Sequence, residues 1–171
     1  MRVGRRYRLE RAQKIPRPRE DVFTFFTAAE NLEAITPDFL RFRILTPTPI
    51  QIHVGTLINY RLHLLAIPFY WRTYIEAFEP PYYFTDVQLA GPYRYWHHTH
   101  EFFAVNDGTL VVDSVDYELP FGLLGTVAQE LFVRRYLERI FDYRRECLQA
   151  LFPPLETTRE STYGRSRGAS D

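Results

Sequence analysis

The sequence predicts an α+β fold in which a seven-stranded, curved antiparallel sheet wraps around one long C-terminal helix, with two short helices after the first strand. Three observations predict it. A two-residue alternation of apolar and charged side chains opens the chain, six strand-like runs divided by turn residues follow, and one helical stripe closes it. Strands in such close succession pair as a meander.

Tyr7, Leu9 and Ile15 are apolar while Arg6, Arg8, Glu10 and Lys14 are charged, the pattern of a half-buried strand. Pro16 and Pro18 end it, and Pro18 suits the first turn of a helix. Val22, Phe23, Phe25, Phe26, Leu32 and Ile35 then read as short helices on an apolar surface, with Thr36-Pro37 as a cap and first helical position. The strands are expected over Phe42–Thr46, Leu57–Ala66, Phe69–Phe78, Tyr83–Leu89, Tyr93–Val105 and Thr109–Leu119. Pro47, Pro49, Gly55, Pro68, Pro80-Pro81, Gly91-Pro92 and Asp107-Gly108 divide them. Val133, Leu137, Ile140, Phe141, Leu148 and Leu151 mark an amphipathic helix from about Leu123 to Leu151, stopped by Pro153-Pro154. One domain over 5–153 is expected, with a disordered tail over 154–171.

Composition narrows the function. Lys+Arg and Asp+Glu are both 21, so no global field draws nucleic acid or an anionic membrane. Cys147 is the lone cysteine, which excludes an intramolecular disulfide and a zinc site built on several thiolates. The chain shows no apolar leader and no run long enough to span a bilayer, so a cytoplasmic protein without stable membrane insertion is expected. Aromatic residues are 16% of the chain, a surplus of the side chains that line small-molecule cavities.

Hairpin geometry predicts which side chains share the concave face. A two- or four-residue loop on Asp107-Gly108 sets Phe102 opposite Asp113, His100 opposite Val115, His98 opposite Tyr117 and Trp96 opposite Leu119. Thr99, Glu101, Ser114, Asp116 and Glu118 then face solvent. A turn at Ile67-Pro68 sets Leu62 opposite Thr73 and Tyr60 opposite Ile75, with Asn59, Arg61 and His63 outside. Pro80-Pro81 sets Ile75 opposite Asp86. Keeping Asp86 and His98 on one face requires an odd-length loop or a bulge near Gly91-Pro92.

The expected interior is an apolar wall of Phe42, Ile44, Tyr60, Leu62, Trp71, Ile75, Phe84, Trp96 and Phe102. It is studded with Asp86, Gln88, His98, His100, Asp113 and Tyr117, and Thr73 shares the face. From the helix, Ile140 and Phe141 face inward, and Arg144 is placed to hold a ligand carboxylate or to pair with Asp113 or Asp86. Buried polar groups left unpaired cost about 1–3 kcal/mol each, so these must pair with one another, with water or with a guest.

The segments IPRPREDVFTFFTAAENLEAITPDFLRF, WRTYIEAFEPPYYFTDVQLAGPYRYWHHTHEF, GTLVVDSVDYELPFG and LERIFDYR carry a likeness that spans nearly the whole ordered chain. The sequence resembles the helix-grip superfamily called SRPBCC, which includes START domains, the birch-pollen-allergen fold and polyketide cyclase/dehydrase-like proteins. That resemblance implies a cavity between sheet and C-terminal helix, with guests ranging over lipids, polyketides and isoprenoid quinones. It transfers no catalytic motif to this chain.

The expected function is therefore binding or carriage of a small hydrophobic molecule, a lipid, polyketide or isoprenoid-like compound. The alternative is a cyclase/dehydratase-type enzyme using His98, His100, Asp113 and Tyr117 as acid–base groups. A module that binds a protein partner through its surface is the third reading. His97, His98 and His100 with Asp86 and Asp113 have the chemistry of a metal-ligand set. His97 points away and no third ligand is fixed, so neither metal nor cofactor is assigned. The glycines of the Pro120–Gly125 link suit a hinge that admits a ligand.

Overall fold

Charged and apolar residues alternate along much of β1 (Arg6–Ile15), so one face of this strand is half-buried and the other exposed. The computed structural model describes residues 5–64, 66–120, 127 and 129–154. After β1 come α1 (Arg19–Thr27), α2 (Asn31–Ala34) and a 3-10 turn (Asp38–Leu40). Six strands follow: β2 (Arg43–Ile44), β3 (Leu57–Leu64), β4 (Ile67–Glu79), β5 (Tyr83–Ala90), β6 (Tyr95–Val105) and β7 (Gly108–Glu118). A π turn (Gln129–Val133) leads into α3 (Arg134–Leu151). The sheet order is β1-β7-β6-β5-β4-β3-β2, antiparallel at every step.

Pro18 takes the N-cap of α1, and Glu20 and Asp21 lie in its first turn, where negative charge complements the helix dipole. α1 buries Val22 and Phe23; α3 buries Leu137, Phe141 and Leu148, one stripe at spacings of four and seven. Among the described residues no helix is long and apolar enough to cross a membrane.

Three elements carry detail that the sequence did not. β2 is two residues long because the backbone amides of Leu45 and Thr46 both donate to the Asn59 carbonyl, which breaks the ladder before Pro47. Pro37 is the N-cap of the 3-10 turn, and the Thr36 hydroxyl donates back to the Leu32 carbonyl instead of capping forward. Of the long helix expected from about Leu123, α geometry runs from Arg134 after a π turn with Leu131 and Phe132 exposed, and residues 121–126 and 128 lie outside the described residues. The hinge expected over Pro120–Gly125 falls, after Pro120, outside the described residues, as does the tail beyond Pro154.

The faces follow the expected parity, whereas two registers do not. β6 and β7 pair Val105 with Gly108, so the turn sits on Asn106-Asp107, one residue earlier than expected, with Asp107 at φ 61. Phe102 therefore opposes Val111, His100 opposes Asp113, His98 opposes Val115 and Trp96 opposes Tyr117. In the β3–β4 hairpin Leu64 pairs with Ile67 and Ala66 takes φ 68, so Tyr60 opposes Trp71 and Leu62 opposes Phe69. Pro68 lies inside β4, beyond the reach of β5, where a missing N–H costs no ladder bond. Ile75 opposes Asp86 as expected, and an even register sum brings Asp86 opposite His98 across β5 and β6.

Gly108 is required where β7 leaves the turn. A Cβ there stands 2.2 Å from the Ile15 carbonyl oxygen, at φ 149. Gly108→Ala is expected to cost ~1–3 kcal/mol. Urea unfolding with an unchanged slope and a lowered midpoint checks this.

The outer face is less solvated than its polarity suggests. Ser114 and Glu118, expected in solvent, are buried, with Arg8 donating to the Ser114 hydroxyl at 3.3 Å and Arg94 Nε 3.1 Å from Glu118. Arginine stems lie over these short and medium side chains.

Candidate ligand site

Inside the concave face the apolar contacts divide into three groups, and their separation leaves a space. Ile15, Val22, Phe23, Phe84, Phe102, Val111 and Leu148 close one end as packed core. Ala29, Leu40, Ile58, Tyr60, Leu62 and Trp71 form a second wall, and Val115, Tyr117, Leu137 and Phe141 a third. Between them lies a cavity of about 180 Å³.

Most residues expected at the site line this cavity: Tyr60, Leu62, Trp71, Thr73, Ile75, Phe84, Asp86, Trp96, His98, His100, Ile140, Phe141 and Arg144. Four do not. Gln88 turns its amide to the backbone of Tyr93, donating to its carbonyl at 2.7 Å and accepting from its N–H at 3.3 Å. Phe102 belongs to the packed end, with Phe23 and Phe26 edge-on at 5.2 and 5.3 Å. Tyr117 packs among Tyr7, Tyr93 and Trp96, and both ring nitrogens of His98 face carboxylates, Asp86 and Asp113. Asp113 stands behind the histidines.

The lining also includes residues the strand argument missed: Phe25, Phe26, Leu32 and Ile35 from the helices, Ile52 from the β2–β3 link, and Tyr93. Alternation assigns faces only within strands. The aromatic run Phe23, Phe25, Phe26 was the available signal that the helices cover the cavity.

The polar part of the wall is a ring of two carboxylates and two imidazoles on adjacent strands. Asp86 lies on β5, His98 and His100 on β6, and Asp113 on β7, with Asp86 opposite His98 and His100 opposite Asp113. His98 Nε2 is 3.2 Å from Asp113 Oδ1, and His98 Nδ1 is 3.6 Å from Asp86 Oδ2. His100 Nε2 is 3.1 Å from Asp86 Oδ2, and His100 Nδ1 is 2.6 Å from Asp113 Oδ1. This last approach is off the hydrogen-bond direction, a close ion-pair contact without an aligned N–H. Aromatic rings hold the imidazoles: Phe84 stacks on His100 at 4.2 Å, and Phe141 meets His98 edge-on at 5.8 Å.

Burial alone raises a carboxyl pKa, yet the charge of His100, joined by the hydrogen bond and charge of His98, holds Asp113 well below the usual range. Asp86 is lowered in the same way: burial is outweighed by its hydrogen bond to His100, the charges of both histidines and Arg144. Burial also opposes charge on the imidazoles. For His100 the two aspartates overcome it and raise the pKa; for His98 burial and the neighbouring His100 charge win, and the pKa falls. The directions favour Asp86 and Asp113 as carboxylates, and a proton on His100 before one on His98.

Two further polar features complete the wall. Trp71 Nε1 donates to the Thr73 hydroxyl at 3.1 Å, and the Tyr60 hydroxyl bonds the same oxygen. Burial, with the Asp86 charge, raises the Tyr60 pKa, so this phenol stays neutral. Arg144 forms no ion pair with Asp86 or Asp113, contrary to expectation. Its guanidinium lies 5.1 Å from the Phe141 ring centroid, and its buried Nε has no hydrogen-bond partner among the described residues. His97 does point away, to Glu76 at 3.1 Å.

A meander gripping a terminal helix over an apolar cavity defines the helix-grip, Bet v 1-like fold. Solved structures share it. Major latex-like protein 151 of Panax ginseng aligns with TM-score 0.65 and 13% identity, covering 88% of this chain and 100% of its own. The Zhui aromatase/cyclase of Streptomyces sp. R1128 gives TM-score 0.67 and 14% identity over 86% of this chain and 93% of its own. A Thermus thermophilus protein gives 0.64 and 18% over 86% and 99%. No protein-family model and no curated protein matches the sequence.

Proposed function

We propose that this chain binds a small, mainly apolar molecule whose oxygen-bearing end meets the charged part of the wall. The observation that carries the reading is a cavity lined mainly by apolar side chains whose wall also carries Asp86, His98, His100 and Arg144. Hydrophobic burial, roughly 25 cal/mol per Å², supplies the affinity, and the polar groups orient the guest. Size restricts the guest. An apolar cavity of ~150 Å³ takes a benzene-sized molecule, so about 180 Å³ suits one ring with a short substituent. A long-chain lipid or polyketide requires α3 and the short helices to spread from the sheet.

The unpartnered Arg144 Nε favours a guest carrying a carboxylate, which a guanidinium grips bidentately. Benzoate and toluene test the point, their binding followed through the Trp71 indole resonance. A hydrogen bond to a charged group is worth ~1.5–3 kcal/mol, so Arg144→Leu is expected to weaken benzoate roughly 10- to 100-fold and leave toluene unchanged. Failure of both probes to bind, or an equal loss for both, overturns the reading.

A second reading rests on the imidazole pair. His98, with its pKa lowered, beside His100, with its pKa raised, both backed by carboxylates, supplies a base and an acid on one wall, as a cyclase or dehydratase needs; one structural neighbour is an aromatase/cyclase. His98→Ala separates the two: a carrier keeps most of its affinity, while an enzyme loses nearly all rate.

A further inference from the structure

We propose that Asp86, His98 and His100 form a binding site for a divalent cation of the zinc class, open toward the cavity and backed by Asp113. The inference goes beyond small-molecule binding and does not depend on it. One donor atom from each of the three residues lies within 4.8 Å of the other two. Asp86 Oδ2 is already 3.1 Å from His100 Nε2 and 3.6 Å from His98 Nδ1. A tetrahedral site with bonds of ~2.0–2.1 Å has ligand–ligand edges of roughly 3.3–3.4 Å, midway between those two distances.

The other ring nitrogens complete the pattern. A ligating histidine characteristically donates its second N–H to a carboxylate, which fixes the ring and strengthens the donor. Here His98 Nε2 is hydrogen-bonded to Asp113 Oδ1 at 3.2 Å, and His100 Nδ1 lies 2.6 Å from the same oxygen, off the hydrogen-bond direction. Asp86, His98 and His100 line the cavity whereas Asp113 does not, so the open coordination position points at the space a guest enters.

The two imidazoles stand side by side in the buried wall, ring centroids 3.8 Å apart, with a carboxylate on either side. Two carboxylates and a dication sum to zero, and Arg144 adds a positive charge that favours an anionic oxygen at the open position.

The test uses the full chain freed of metal with a chelator, titrated with zinc chloride and, for its visible spectrum, cobalt chloride. One ion per chain is expected, with a four- or five-coordinate cobalt spectrum. Asp86→Asn and His100→Gln should abolish uptake, Asp113→Asn weaken it about 10- to 100-fold, and His97→Gln leave it unchanged. In the unaltered chain, zinc should shift the imidazole nitrogen resonances of His98 and His100 and not those of His53, His63 and His97, a readout independent of variant folding. No uptake by the unaltered chain, or uptake that leaves the His98 and His100 resonances unmoved, overturns the proposal. Benzoate and toluene binding, measured on the metal-free chain, is judged separately, so loss of the cation site and loss of the guest site are distinct results.

Discussion

Asp113→Ala is expected to lower the free energy of unfolding by ~3–5 kcal/mol, the usual result of removing one partner from a buried, hydrogen-bonded charge group. The carboxylate faces His98 Nε2 at 3.2 Å and His100 Nδ1 at 2.6 Å, and its deletion leaves His100 with less to support a buried positive charge. Urea unfolding gives the difference directly. The same carboxylate shapes the pH dependence. Asp113 and Asp86 are depressed in the fold, so their stabilisation is present above the unfolded value of 3.8 and lost as pH falls through their lower folded values. His100 is raised, so its contribution is full below 6.5 and lost as pH rises through its folded value. His98 is depressed and works in the opposite sense, costing stability as pH falls below 6.5 toward its folded value. Stability should therefore decline in acid below about pH 4, and Asp113→Asn should flatten that decline. An acid limb identical in both proteins contradicts the assignment.

Phe102→Ala is the second large effect, ~3–5 kcal/mol for an aromatic side chain lost from a close-packed core. Phe102 is 2% exposed, edge-on to Phe23 and Phe26, and stacked beside Phe84 at 6.1 Å. The sequence places it in the ligand wall; the structure places it in the packed end. Its removal should thus depress the unfolding midpoint while benzoate affinity, measured well below that midpoint, stays within about twofold, since no cavity contact is lost. A parallel loss of affinity would show that the packed end and the cavity respond as one unit.

Much of the architecture is legible in the sequence because two kinds of local information agree. Alternation sets the face of each strand, and prolines and glycines set the number of strands. Parity gathers His98, His100 and Asp113 on one face, and it survives a turn displaced by one residue because the loop still holds two residues; Asp86 joins them only through an odd-length link at Gly91-Pro92. Partner identity did not survive. It depends on which residues accept positive φ, and Asp107 and Ala66 do so where glycine or proline would have been chosen. The lining contributed by α1, α2 and Ile52 was hidden for another reason: short helices and links carry no period long enough to orient them. The third metal-ligand candidate was a question of register too, settled only once Asp86 stood opposite His98.

β1 lies at the rim of the sheet, one side bound to β7 and the other without a strand partner among the described residues. Its outward residues are Arg6, Arg8, Glu10, Ala12 and Lys14. A second copy adding itself there antiparallel about Glu10 would set Arg6 against Lys14 and glutamate against glutamate. In that register like charges meet, which disfavours growth by strand addition along this side.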